Sequence, residues 1–124
     1  MTKKILIADD EQYMHQLLQY HLVRAGYAVV NARNGREAIE KAASERPQLI
    51  IMDVMMAELD GLAALKQLKE SDLTRNIPVI MMTASAHMLT QEASASSGAA
   101  AFFTKPFSPT RLLLEIKRLL EETA

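Results

Sequence analysis

The chain contains no cysteine. Disulfides, thiolate metal sites and a cysteine nucleophile are therefore excluded. It also lacks an excess of either charge: 14 Lys and Arg against 15 Asp and Glu leave a formal net charge of -1 at pH 7. That balance argues against a general nucleic-acid binder or a membrane-surface protein. No apolar run approaches the ~18 residues needed to cross a bilayer, and no N-terminal stretch is flanked like a signal peptide. A cytoplasmic setting is the default expectation. Linkers, long loops and repeats are missing too. What remains is an ordinary globular composition, 49% hydrophobic and 23% charged over 124 residues, which predicts one domain spanning 1–124.

The most informative stretch present is LIIMDVMMAELDG, Leu49 to Gly61. Leu49, Ile50, Ile51 and Met52 form an apolar run without alternation, the pattern of a strand buried on both faces. The run stops at Asp53, so a carboxylate stands at the mouth of a buried strand, where an uncompensated charge is costly. Asp60-Gly61 signals a turn, with Asp60 read as a helix cap and not as a ligand.

The same grammar repeats along the chain. Lys4 to Ala8 predicts a first strand that runs into Asp9, Asp10 and Glu11. Met14, Leu17, Leu18, Leu22 and Ala25 recur at helical spacing, and Gly26 stops that helix. Tyr27 to Ala32 reads as a second strand. Asn34 with Glu37 resembles a capping box ahead of the next helix. Leu62, Leu65 and Leu68 mark the apolar face of a third helix. Val79 to Met82 is a fourth strand, ending in Thr83. Ser85 to Ser97, rich in Ser and Ala, predicts a fourth helix stopped by Gly98. Ala101 to Phe103 is a fifth strand, ending in Thr104, Lys105 and Pro106. Ser108 caps a last helix with Pro109 at its first position and a stripe of Leu112, Leu113, Ile116, Leu119 and Leu120.

Five strands alternating with five helices specify an α/β fold, a doubly wound parallel sheet with helices on both faces. Ligands of such sheets bind beyond the carboxyl ends of the strands. Those ends carry Asp9 and Asp10, Asp53, Thr83 and Lys105. If the first and third strands are neighbours, three carboxylates converge. Two unit charges about 4 Å apart repel by ~4 kcal/mol at an effective dielectric of ~20, so the cluster needs a cation. Oxygen ligands favour Mg²⁺, with Mn²⁺ possible. A metal, a carboxylate nucleophile, a lysine and a hydroxyl are the parts of a phosphoryl-transfer site. His15, His21 and His87 have no metal-ligand spacing and are expected at the surface or partly buried, with His15 near the acidic site. Met52, Met55, Met56, Met81 and Met82 read as core packing.

The fragments KKILIADDE, LIIMDVMMAELDG, PVIMMTAS and FFTKPF, taken together and in this order, resemble the CheY-like receiver domains of bacterial two-component response regulators. The resemblance covers essentially the whole chain. It implies the strand order 2-1-3-4-5. It implies that Asp53 accepts a phosphoryl group from a histidine kinase or a histidine phosphotransfer protein. Asp10, Asp53 and the backbone carbonyl of Met55 would ligate Mg²⁺ directly, with Asp9 acting through water. Thr83 and Phe102 would form the switch, Lys105 would contact the phosphoryl group, and Lys105-Pro106 would be a cis bond. Such a protein catalyses only its own phosphorylation and dephosphorylation. As a single-domain, monomeric receiver it would signal to a downstream protein through its fourth helix, fifth strand and fifth helix, without touching nucleic acid or membrane.

The chain departs from the family at several points. Ala57, followed by Glu58, stands where the family usually has proline, four residues after the acceptor, so a more mobile loop is expected there. Ala100-Ala101 replaces a frequent acidic pair. Met55 and Ser85 stand where the family tunes phosphoryl lifetime, and neither positions a water, so dephosphorylation is not expected to be unusually fast. Two other classes share parts of the pattern. An aspartyl-phosphate hydrolase needs a second acid just after Asp53, where Met55 stands. A flavodoxin-like cofactor binder needs a phosphate-cradling loop after the first strand, where Asp9, Asp10 and Glu11 would repel a phosphate.

Overall fold

Five short runs of branched and apolar residues become five parallel strands in the computed structural model, which describes residues 2–56, 58–84 and 98–122. The order is β1 (Lys4–Ala8), α1 (Gln12–Arg24), β2 (Ala28–Ala32), α2 (Gly35–Glu45), β3 (Leu49–Asp53), α3 (Gly61–Glu70), β4 (Val79–Thr83), β5 (Ala101–Thr104) and α4 (Pro109–Glu122). The sheet order is β2-β1-β3-β4-β5, as the resemblance implies, and every pairing is parallel. Four helices lie among the described residues. The helix expected over 85–97 falls outside them, and α4 is the last helix of the sequence pattern.

Side-chain alternation along the strands builds two cores. Ile5, Ile7, Leu49, Ile51, Ile80 and Met82 point to one face, where Leu18 and Leu22 of α1 and Leu112 and Ile116 of α4 cover them. Leu6, Ala8, Ile50, Met52, Val79 and Met81 point to the other, against Ala38 and Ala42 of α2 and Ala64, Leu65 and Leu68 of α3. β1, β3 and β4 are the three central strands and carry uninterrupted apolar runs. β2 and β5 are edges and stay half-buried.

The helix ends follow their sequence signals. Asn34 Oδ1 accepts the Glu37 amide at 2.8 Å, while the Glu37 carboxylate pairs with Lys41 at 3.2 Å. Asp60 Oδ1 accepts the Ala63 amide at 2.8 Å, so Asp60 is a cap. Ser108 Oγ accepts the Arg111 amide at 3.3 Å ahead of α4. Gly26, at φ +98°, closes α1 in the left-handed region that suits glycine.

Candidate functional site

Strand parity decides which polar side chains meet. The next residue after Ile5 and Ile7 on the α1–α4 side is Asp9. On β3, Asp53 follows Leu49 and Ile51, and on β5 Lys105 follows Ala101 and Phe103. All three therefore lie on one side of the sheet at its C-terminal edge. Lys105 Nζ donates to Asp9 Oδ2 at 3.1 Å, to Asp53 Oδ2 at 3.1 Å and to Glu11 Oε1 at 3.2 Å. Lys105-Pro106 is cis, as expected.

Two of the three carboxylates on this lysine are nearly sealed from solvent, Asp9 at 2% and Asp53 at 6% exposure. Sequestered charges are tolerable only with partners for their remaining oxygens. Asp9 Oδ1 accepts the Glu11 amide at 2.9 Å, and Asp53 Oδ1 accepts the Met55 amide at 3.3 Å. Burial, then the neighbouring Asp9 charge, push the Asp53 carboxyl above its usual range, with Lys105 and the Met55 amide pulling the other way. Burial alone would lower the Lys105 ammonium, but hydrogen bonds and charge from Asp9 and then Asp53 outweigh it and raise that group above the ordinary lysine range.

Asp10 is exposed and completes the acidic cluster. One carboxylate oxygen each from Asp9, Asp10 and Asp53 lies within 4.8 Å of the others. An all-oxygen donor set of this charge fits a hard divalent cation. His15 is no competing ligand, because both of its ring nitrogens already meet oxygens.

Thr83 ends β4 and is buried. It has the parity of Val79 and Met81, so it belongs to the α2–α3 side. Phe102 is the register partner of Met81 and packs on that same core. The Thr83 carbonyl accepts the Lys105 amide at 2.8 Å, which ties the ends of β4 and β5 together. The Met55 side chain, expected in the core, is instead exposed beside the site, because it lies past the end of β3 where none of the described helices covers it. Ala57 and Ser85 lie outside the described residues.

Two participants were not among the predicted site residues. Glu11 pairs with Lys105, and the acidic run Asp9-Asp10-Glu11 was its only signal. His15 was expected at the surface or partly buried, and the structure corrects this: it is 6% exposed. Its burial is stable because both nitrogens are satisfied, a circumstance that depends on folded neighbours and not on spacing.

Residues 5–117 match the family model described as the response regulator receiver domain. The chain belongs to this family. The receiver is 42% identical over 123 residues to the alkaline phosphatase synthesis transcriptional regulatory protein PhoP of Bacillus subtilis, covering 99% of this chain and 50% of PhoP. It is 37% identical to the transcriptional regulatory protein SrrA of Staphylococcus aureus, with the same coverage. The chain thus spans about half the length of the curated relatives it matches. Among solved structures, the Francisella response regulator 1452 receiver domain aligns with a TM-score of 0.90 at 30% identity, covering 99% of this chain and 100% of that one. The receiver domain of the sensor histidine kinase PA1611 from Pseudomonas aeruginosa, a structure with a magnesium ion coordinated in its active-site cleft, aligns with a TM-score of 0.88 at 26% identity, covering 98% and 99%. Among the described residues, no helix is long and apolar enough to cross a membrane.

Proposed function

We propose that this receiver takes a phosphoryl group onto Asp53 from the phosphohistidine of a histidine kinase or histidine phosphotransfer protein. One observation carries the reading: Asp9, Asp10 and Asp53 converge within 4.8 Å while Lys105 bridges Asp9 and Asp53 at 3.1 Å. Asp10 and Asp53, with the Met55 carbonyl, would hold Mg²⁺, and Asp9 would act through water. Bound Mg²⁺ supplies charge neutralisation at the phosphoryl oxygens.

The chain's own groups do the rest. An Asp53 carboxylate oxygen attacks phosphorus as the P–N bond to the donor imidazole breaks, and the departing nitrogen keeps the bonding pair and takes a proton. Lys105 exchanges its hydrogen bond to Asp53 Oδ2 for one to a phosphoryl oxygen. Thr83 has the opposite parity but is the last residue of the adjacent strand, so its hydroxyl reaches the same group over the sheet's C-terminal edge. That pull biases a two-state equilibrium in which Phe102 moves with Thr83. Output then passes by protein contact through the surface of β5 and α4, with the receiver acting as a cytoplasmic monomer.

The test is incubation with acetyl phosphate and Mg²⁺, read by intact mass. The wild-type protein gains one phosphoryl group, and Asp53→Asn gains none. A phosphoryl adduct that persists in Asp53→Asn moves the acceptor elsewhere.

A further inference from the structure

We infer that His15 is a positioning residue for the acidic cluster: its side chain fixes the peptide between Asp9 and Asp10, from which two of the three carboxylates project. The inference rests on the proposed cation site and deepens it.

β1 ends at Ala8, so Asp9 is the first residue beyond the strand. Its amide still reaches across to the Ala32 carbonyl of β2 at 3.1 Å. Its carbonyl is bonded from the other side, by His15 Nε2 of α1 at 2.6 Å. A carbonyl can only accept, so Nε2 carries the proton. The second nitrogen, Nδ1, meets the Asn31 side-chain Oδ1 at 2.7 Å. Asn31 sits on β2 opposite Ile7 of β1, and its own carbonyl accepts from Lys41 Nζ at 2.5 Å. The imidazole is thus a strut from β2, through α1, to the exit of β1.

The consequence is geometric. The Asp9 carbonyl belongs to the peptide plane that joins Asp9 to Asp10. Turning that plane changes ψ of Asp9 and φ of Asp10, and so swings the Asp10 carboxylate relative to those of Asp9 and Asp53. A cluster that brings three oxygens within 4.8 Å leaves little tolerance for such a turn. Groups that orient ligands from outside the coordination shell commonly govern metal affinity by about 10–100-fold. Only the Nε2 bond to the Asp9 carbonyl is needed for this role; Asn31, whose amide nitrogen donates to Gln19 Oε1 at 3.3 Å, holds the ring from its other edge.

The experiment is Mg²⁺ binding by calorimetry, without a phosphodonor and well below each variant's melting temperature. His15→Phe keeps a ring but no hydrogen bond, and its dissociation constant for Mg²⁺ rises about tenfold or more. His15→Gln keeps an N–H near the place of Nε2 and stays within about threefold of wild type. A merely structural role would lower the melting temperature and leave both constants alone. If His15→Phe does not fold, Asn31→Ala, at a half-exposed strand position, replaces it and weakens Mg²⁺ through the freed ring by clearly more than the threefold allowed to His15→Gln, about tenfold. Wild-type-like affinity in folded His15→Phe, or in Asn31→Ala standing in for it, overturns the inference. So does His15→Gln binding as weakly as His15→Phe. A wild-type protein that binds no Mg²⁺ overturns the cation site itself, a result distinct from either.

Discussion

At the scale of single residues, the site is a set of charges held closer than water would allow. Asp53 loses most of its solvent and sits beside Asp9, and both effects favour its neutral form. Because its value in the folded chain lies above that in the unfolded chain, the stability it contributes is fully present below the ordinary carboxylate range. That stability is lost as pH rises through the raised value. At pH 7, without divalent cations, Asp53 therefore costs the fold something that Asn at this position does not. Asp53→Asn should melt higher than wild type in chelator at pH 7, and the gap should shrink toward zero as pH falls below the carboxylate range. Each 1 kcal/mol moves the melting temperature of a domain this size by roughly 3–5 °C, so the gap is readable. A gap that is absent, or that widens on acidification, would show that Lys105 compensates Asp53 fully. Much of this chemistry was legible from residue types, because carboxylates at strand ends announce themselves. The contact of Lys105 with Asp9 and Glu11 was not, since it needs the distances between strands one and five.

At the scale of elements, the start of α3 packs directly against the end of β3, where Asp53 sits. Substitution of the family's usual proline by Ala57 leaves the turn without that constraint, and Ala57 itself lies outside the described residues. A different restraint is visible. The Gly61 amide donates to the Val54 carbonyl at 2.8 Å, and a Cβ on Gly61 would lie 2.0 Å from the Asp53 carbonyl oxygen and 2.9 Å from Val54 Cα. These are backbone atoms, so they cannot rotate away as a side chain would. Gly61 is needed for this close approach of α3 to the end of β3. Gly61→Ala should cost about 1–3 kcal/mol as an overpacked contact, seen as a lower urea midpoint. It should also slow acetyl-phosphate labelling of Asp53 further than lost stability explains. Unchanged unfolding and labelling would mean that the helix start gives way freely. The sequence marked Asp60-Gly61 as a turn and a cap, both correct, but a steric need at Gly61 appears only once helix and strand are packed.

At the scale of the whole molecule, one fold serves two opposed demands. Alternation of apolar side chains on β1, β3 and β4 closes a core on each face, and that pattern could be read in advance because buried parallel strands are apolar throughout. The same alternation aims Asp9, Asp53 and Lys105 to one side and Thr83 with Phe102 to the other. The strand order that makes them neighbours came from resemblance, since parity alone does not say which strands adjoin. His15 escaped because a lone histidine at helical spacing looks like a surface residue until both its nitrogens find partners. Crowding acid at the sheet edge disfavours the cation-free fold, and a cation held there would relieve it, so folding and ligation would be coupled. A ligand that binds only the native state stabilises it by about 2.7 kcal/mol at one hundred times its dissociation constant. Mg²⁺ should therefore raise the wild-type melting temperature in a saturable way and raise that of Asp53→Asn far less. The order of the two proteins should then invert, with Asp53→Asn the more stable in chelator and wild type the more stable in saturating Mg²⁺. Paired melts under the two conditions test this directly. Parallel shifts of both proteins would mean that Mg²⁺ binds somewhere other than at Asp53, and that the strain at the sheet edge is relieved by Lys105 alone.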